Sequence, residues 1–173
     1  VYIDFYEDGN DVRINDEKGM FLATKHLIEK GHKNIGFVGA RNFSLVDKNR
    51  YHGYVKAMKE YNLTIDESNL YDCFATFDDG YAIADNIMKN KELTAIVCSA
   101  DIIAIGIMKR YKELGKDLPN DLSIVGFDDI SDAKYIYPGI TTIRQDIGQK
   151  GKMAARIIVD NLENEVNTKT VIT

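Results

Sequence analysis

Short runs of β-branched and aromatic residues alternate along this chain with longer segments of helical spacing, and only a few turn-forming residues separate them. That alternation restricts the fold more than any other feature. Strand-like runs fall at Val1–Asp4, Asn34–Gly39, Leu70–Phe74, Ala95–Ser99, Leu122–Phe127 and Thr141–Gln145, and the chain closes on a further run at Thr170-Val171-Ile172-Thr173. Helical spacing covers roughly Asp16–Lys30, Asp47–Tyr61, Asp79–Asn90, Ala100–Leu114 and Gly148–Leu162. Asn15 or Asp16 can cap the first helix, Asp78 or Asp79 the third, and Gly31 and Gly115 stand where a left-handed C-cap residue belongs. Continuous apolar strands such as Ile35-Gly36-Phe37-Val38 and Ala95-Ile96-Val97-Cys98 have no solvent face, so the expected fold is α/β, a parallel sheet with helices on both faces and right-handed crossovers. With no repeat, no linker and only Pro119 and Pro138, the chain reads as one compact α/β unit with short appendages at both ends.

Composition removes several function classes. The 173 residues carry 22 Lys+Arg against 27 Asp+Glu, a formal net charge of -5, which argues against a nucleic-acid surface on this chain. The longest apolar run, Ile102 to Met108, is far too short to cross a bilayer, so no membrane partner is expected. Cys73 and Cys98 lie in apolar strand-like runs where a thiol behaves as a small hydrophobe, and a reducing cytoplasm fits best. An opening on Val1-Tyr2-Ile3-Asp4 without methionine or leader, and a close in mid-strand, give the expectation of a piece of something longer.

In a doubly wound sheet, ligands bind beyond the carboxyl ends of the strands. The residues there are polar: Asp4, then Arg41 and Asn42 with Arg50 further on, Asp101, Asp128 and Asp129, and Gln145 with Asp146. Carboxylates and amides accept paired hydrogen bonds from vicinal hydroxyls or ring N–H groups, and a guanidinium donates in a fixed fork, so such a rim suits a small polar solute. Asp101 reads equally as a helix cap and as a ligand contact. Asp129 and Asp146 read as structural, because consecutive residues of an extended segment point opposite ways. His26, His32 and His52 read as helix-surface or cap residues with no His or Cys at metal-ligand spacing, so no zinc site is expected.

No G-x-S-x-G elbow, P-loop or G-x-G-x-x-G turn is present, so no cofactor and no catalysis are expected. Asp128-Asp129 with Asp101 offers hard oxygens for Mg²⁺, but neither a nucleophile nor a phosphate-binding loop accompanies them. The segment Ile102, Ile103, Ala104, Ile105, Ile107, Met108 is apolar on every side of a helix, whereas a helix flanking a sheet needs one apolar face. A second copy of the chain, packed on Ile102, Ile105 and Met108, is the expected cover, the alternative being a helix under a long loop.

Several motifs occur in a telling order: His26-Leu27-Ile28, Gly31-His32-Lys33-Asn34-Ile35-Gly36-Phe37, Arg50-Tyr51-His52-Gly53-Tyr54, Ser99-Ala100-Asp101-Ile102-Ile103-Ala104-Ile105-Gly106, Ser123-Ile124-Val125-Gly126-Phe127-Asp128-Asp129 and Pro138-Gly139-Ile140-Thr141-Thr142-Ile143-Arg144-Gln145. Together they closely resemble the LacI/GalR (lactose-repressor/galactose-repressor) family of bacterial transcription regulators, nearly end to end. The resemblance implies a periplasmic-binding-protein-like type I domain of two subdomains hinged around an effector cleft. It implies that the helix-turn-helix headpiece and the first βα units of such a protein are absent, leaving mainly the C-terminal subdomain with an incomplete N-terminal one. The implied division is a remnant of the N-terminal subdomain at 1–15, the C-terminal effector-binding subdomain at 16–145, and a returning helix and strand at 146–173.

Carried over residue by residue, the family's ligand contacts fall on Asp4, Arg50, Asp128 and Gln145, with Asp101 beside them. Two positions depart from the family: Ala100 stands where an Asn is usual, and the cleft aromatic falls on Ala75, which leaves Phe74 or Phe77 to replace it. The implied function is effector binding and homodimerisation in a cytoplasmic DNA-binding transcription regulator. The implied effector is a sugar or sugar phosphate, with a nucleobase as a further class, and operator DNA is met only through the missing headpiece. An exported solute receptor of a sugar transporter, which shares the fold, is the competing class. In isolation the first strand and the returning helix are expected to lack sheet neighbours, and so to be mobile or to pair with a second copy.

Overall fold

A computed structural model of the chain describes residues 2–3, 11–164 and 169–172. In chain order the elements are β1 (Tyr2–Ile3), β2 (Asp11–Ile14), α1 (Asp16–Glu29), β3 (Ile35–Val38), α2 (Leu45–Glu60), β4 (Leu70–Tyr71), α3 (Phe77–Lys89), β5 (Ala95–Cys98), α4 (Asp101–Glu113), β6 (Ser123–Asp128), β7 (Thr141–Arg144), α5 (Ile147–Asn164) and β8 (Lys169–Ile172). They divide into two compact units, Glu17–Arg144 and Val1–Asp16 with Gln145–Thr173.

The larger unit is a five-stranded sheet in the order β4-β3-β5-β6-β7, every pair parallel. Alternation along each strand divides its side chains between two helical layers. Ile35 and Phe37 of β3, Ala95 and Val97 of β5, and Val125 and Phe127 of β6 pack with Met20, Leu27, Tyr54 and Met58 from α1 and α2. Val38, Ile96 and Cys98 pack with Ala84, Ile87, Ile103 and Ile107 from α3 and α4 on the other side. Burying one such aliphatic side chain contributes about 1.5–3 kcal/mol, against about 0–1 kcal/mol for a surface ion pair, so these two cores hold the sheet.

Helix α4 is apolar on more than one face because α3 lies across it. A Cβ on Gly106 would stand 2.2 Å from the Phe77 carbonyl oxygen, and one on Gly80 would stand 2.3 Å from that of Ile103, so the two backbones touch at paired glycines. The cover expected from a partner is therefore supplied in good part by the chain itself. Met108 is buried, Ile102 packs partly against the α3/α4 core, and Ile105 is half-buried. Gly31 and Gly115 follow α1 and α4 at positive φ, +95° and +69°.

The appendages form a unit of their own. β2, absent from the sequence reading, pairs with both β1 and β8 in a three-stranded parallel sheet, so the first strand and the closing strand do have a neighbour within the chain. Val12 of β2 is fully buried against Ala154 and Ile157 of α5, with Met153 beside them.

Candidate functional site

The strand order of the larger unit reverses between β3 and β5, which marks the carboxyl edge at those two strands as the place for a ligand. Helix α2 delivers Arg50 there. Ser44 caps it by accepting from the Asp47 amide at 3.1 Å, while Asp47 accepts in return from the Ser44 amide at 3.0 Å. From that fixed start, Arg50, Gly53, Tyr54, Ala57 and Met58 form one buried stripe at helical spacing. Arg50 is its last member toward the carboxyl edge and only 9% exposed.

Three groups hold its guanidinium. Its Nη1 donates to the Ser99 carbonyl beyond β5 and lies 3.2 Å from Oδ1 of Asp128 at the end of β6, and the group sits 4.0 Å from the centre of the buried Phe127 ring. Asp128 and the following Asp129 have φ of +115° and +55°, a sparsely allowed region for residues with a Cβ. This backbone turns the two carboxylates to different cations, Asp128 to Arg50 and Asp129 to Arg144.

Asp101 holds that turn. Its residue is wholly buried (0% exposed), and its carboxylate accepts from the Thr142 hydroxyl at 2.6 Å and the Ile130 amide at 3.0 Å. Burial pushes its pKa above the usual carboxylate value, a rise these hydrogen bonds oppose. A Cβ at position 126 would fall 2.1 Å from Asp101 Oδ1, so Gly126 makes the room. Asp101 is the first residue of α4, and the helix's N-cap position belongs to Ala100, which contributes no side-chain bond.

Further along the same edge, beyond β3 and β4, Arg41 donates in a fork to Asp72 (Nε to Oδ1 at 2.9 Å and to Oδ2 at 3.0 Å), reaches Glu67 at 3.4 Å, and lies 5.7 Å from the Tyr51 ring centre. Asp72 raises its pKa above the usual guanidinium value. Beside it Phe43 and Phe74 meet edge to face, ring centres 5.2 Å apart, at the mouth of an open depression of about 360 Å³. Cys73 lines the same depression, its thiol pushed up to about 12 by burial.

The other expected site residues are dispersed. Asp4 lies outside the described residues. Gln145, half-buried, opens the smaller unit just ahead of α5. Phe77, the first residue of α3, stacks on Tyr81 at 6.3 Å. The Ser99 carbonyl, Phe127, Tyr51 and Phe43 were not singled out by sequence; for Phe43 the one available signal was its place directly before the helix-capping Ser44. Among the described residues no group of His, Cys, Asp or Glu could hold a metal ion, and no helix is long and apolar enough to cross a membrane.

Residues 24–173 match the family described as periplasmic binding protein-like domain. This chain is a periplasmic binding protein-like domain of the LacI/GalR type. The HTH-type transcriptional repressor PurR of Haemophilus influenzae (strain PittEE) is 35% identical to it over 168 residues, which cover 95% of this chain and 50% of the repressor. The structure of a LacI family transcriptional regulator from Enterococcus faecium with bound ribose superposes with a TM-score of 0.89 at 26% identity, over 98% of this chain and 65% of that one. A complex of the transcriptional regulator CelR with cellobiose gives 0.89 at 25% identity, over 96% and 52%. The chain thus spans about half the length of the curated relatives it matches. Ala100 leaves the head of α4 to Asp101, and beside Ala75 the rings of Phe74 and Phe77 are both exposed, 56% and 37%.

Proposed function

We propose that this LacI/GalR-type domain binds a sugar effector for a DNA-binding transcription regulator and carries out no catalysis. The pinned Arg50–Asp128 pair at the carboxyl edge of the sheet carries this reading, because it offers a guanidinium fork and a carboxylate, already oriented, to vicinal hydroxyls. Repressor names among the relatives favour it over a transporter's solute receptor, and the ribose and cellobiose seen in related regulators favour a sugar over a nucleobase. On this reading Glu17–Arg144 is the C-terminal subdomain, and Asp4 and Gln145 supply further contacts from the remainder. Operator DNA is met through a part of the regulator outside the half matched here, in the cytoplasm. The effector shifts a two-state equilibrium only as far as its affinities for the two states differ.

A homodimer is part of the proposal. The exposed Tyr137 and the half-buried Pro138 border a depression with Met108 and Leu118 at the end of α4, the helix that carries Ile105. The test of effector binding is calorimetry with ribose and cellobiose on the full chain, Arg50→Ala and Asp128→Asn. Loss of a charge-assisted partner weakens binding by about 1.5–3 kcal/mol. Unchanged affinity in both folded variants refutes the assignment.

A further inference from the structure

We propose that a cavity at the amino edge of the larger sheet is a second small-molecule site, which takes an organic anion with an apolar body, roughly ten non-hydrogen atoms in all. It is separate from the Arg50–Asp128 pair, because β6 runs from Ser123 at the cavity to Asp128 at the opposite edge, about 17 Å at the usual rise of a strand. It does not depend on the sugar-binding reading.

The register of the sheet opens the cavity. β5 already pairs with β6 at Ser123, whereas β7 joins only from Thr141, opposite Val125. Ser123 and Ile124 therefore have no strand beside them on the β7 side, where Pro138 and Gly139 approach instead. The Ser123 amide donates to the Thr94 carbonyl at 3.1 Å, so by the alternation of a strand the Ile124 amide points the other way, toward the opening. The buried side chains of Leu27, Met108 and Leu122 supply apolar wall. The volume of about 280 Å³ is room for about nine waters at ~30 Å³ each, and so for a ligand of about that many non-hydrogen atoms.

The charge at this cavity has one sign. His26 and Lys30 line it from the end of α1 and His32 from the loop that follows, and no Asp or Glu is among the lining residues. A cationic rim without a carboxylate runs against the composition of a chain with 27 acids and 22 Lys and Arg. Arg41, Arg50, Arg110 and Arg144 each face a carboxylate, whereas His26 and Lys30 have none among the described residues. His32 is oriented for a ligand as well. Its Nδ1 lies 2.9 Å from the Thr94 hydroxyl oxygen, whose own proton goes to the Asn34 carbonyl at 3.2 Å, so Nδ1 donates and Nε2 is left without a partner among the described residues.

An apolar chamber with cationic donors at its rim selects a ligand that is apolar in body and anionic at one end. A sugar would set hydroxyls against Leu27, Met108 and Leu122 and leave them unpaired. A neutral apolar molecule would leave the rim without counter-charge.

Titration calorimetry on the full chain tests this with benzoate, octanoate and phenyl phosphate, against benzyl alcohol, acetate and inorganic phosphate. At least one of the first three is expected to bind at least about fivefold more tightly than every comparison compound. Lys30→Glu weakens that ligand by about fivefold and leaves benzyl alcohol as it was, Lys30→Arg restores it, and Lys59→Glu, an equal change of charge in the last turn of α2, has no effect. Gly139→Leu abolishes binding with the fold intact, because position 139 lines the cavity, its φ is not positive, and an added Cβ meets no atom within 4 Å. The depression on the proposed homodimer face shares Met108, Leu118 and Pro138 with this cavity, so the Ile105→Glu variant is titrated as well. Binding that occurs only in that variant means that a second copy fills the cavity, and it overturns the proposal. Benzyl alcohol or inorganic phosphate binding as tightly as the organic anions, full affinity in Lys30→Glu or in folded Gly139→Leu, or no binding of any organic anion also overturns it.

Discussion

Replacing Asp101 separates its role as a hydrogen-bond acceptor from its charge. In Asp101→Ala the Ile130 amide and the Thr142 hydroxyl lose their acceptor, and a void opens beside Gly126. A donor left unsatisfied costs about 1–3 kcal/mol. Residues 130 and 142 are half-buried, so water reaches them in part and the low end applies to each donor. The sum is about 2 kcal/mol, which for a chain of 173 residues lowers Tm by roughly 4–8 °C. In Asp101→Asn the amide oxygen keeps the Ile130 bond and the amide nitrogen donates to the Thr142 oxygen, so at pH 7 the loss stays below about 1 kcal/mol.

Both substitutions also remove the titration of Asp101, so each changes the pH dependence of stability relative to wild type. The folded pKa of Asp101 lies above its unfolded value of 3.8, so between those two values the folded protein binds more protons than the unfolded chain. Its contribution to stability is complete below 3.8 and is lost as pH rises through the folded pKa. Wild type therefore exceeds the Asn variant by more at acid pH than at neutral pH, while the other titrating groups cancel between the two. Urea unfolding of wild type, Asn and Ala variants across pH 3.5–7.5 reads this directly. Equal losses for Asn and Ala, or a wild-type advantage that grows with rising pH, would refute the reasoning.

Two further outcomes follow from the packing of α4. Gly106→Ala gains about 1 kcal/mol in helix propensity but drives a Cβ to 2.2 Å from the Phe77 carbonyl oxygen, and overpacking at about 1–3 kcal/mol outweighs the gain; a rise in Tm on thermal melting would show that α3 and α4 do not touch there. Ile105→Glu, at a half-buried position of the proposed two-fold face, converts a dimer to a monomer in light scattering; a wild-type chain that is already monomeric at high concentration counts against that face.

The layered sheet was legible because its cause is local. Strands buried on both faces are apolar without interruption, and helices between them repeat at 3.6 residues, so β3, β5 and their flanking helices stand out in the text. β2 (Asp11–Ile14) did not, since of Val12, Arg13 and Ile14 only Val12 is fully buried and four residues make too little pattern. The starts of α2 and α3 were placed two residues late. Asp47 and Asp79, read as first residues, are the third residues of helices capped by Ser44 and Thr76. Arg50 and Asp128 were found through family resemblance, because the chemistry that joins them, a guanidinium wedged between a buried ring, a carbonyl and a carboxylate, comes from three separate elements. The Phe43–Phe74 pair was out of reach for the same reason, its two residues standing 31 positions apart in the chain although the rings are 5.2 Å apart.

Why the site residues are so firmly held follows from what a proposed effector switch demands. An effector moves a conformational equilibrium by its difference in affinity between two states, and a mobile guanidinium would satisfy a sugar equally well in both. Arg50 is fixed on one side by packing on Phe127 and on the other by Asp128, whose uncommon backbone is in turn held by Asp101 in the space left by Gly126. The chain of support runs from a glycine, through a buried carboxylate and a turn, to the guanidinium of Arg50. Each link costs something when taken alone: a helix without a side-chain cap at Ala100, two residues at positive φ, a carboxylate raised in pKa. Together they give the larger unit a rigid face, and on the proposed reading a rigid face lets the sugar distinguish one arrangement of the regulator from another.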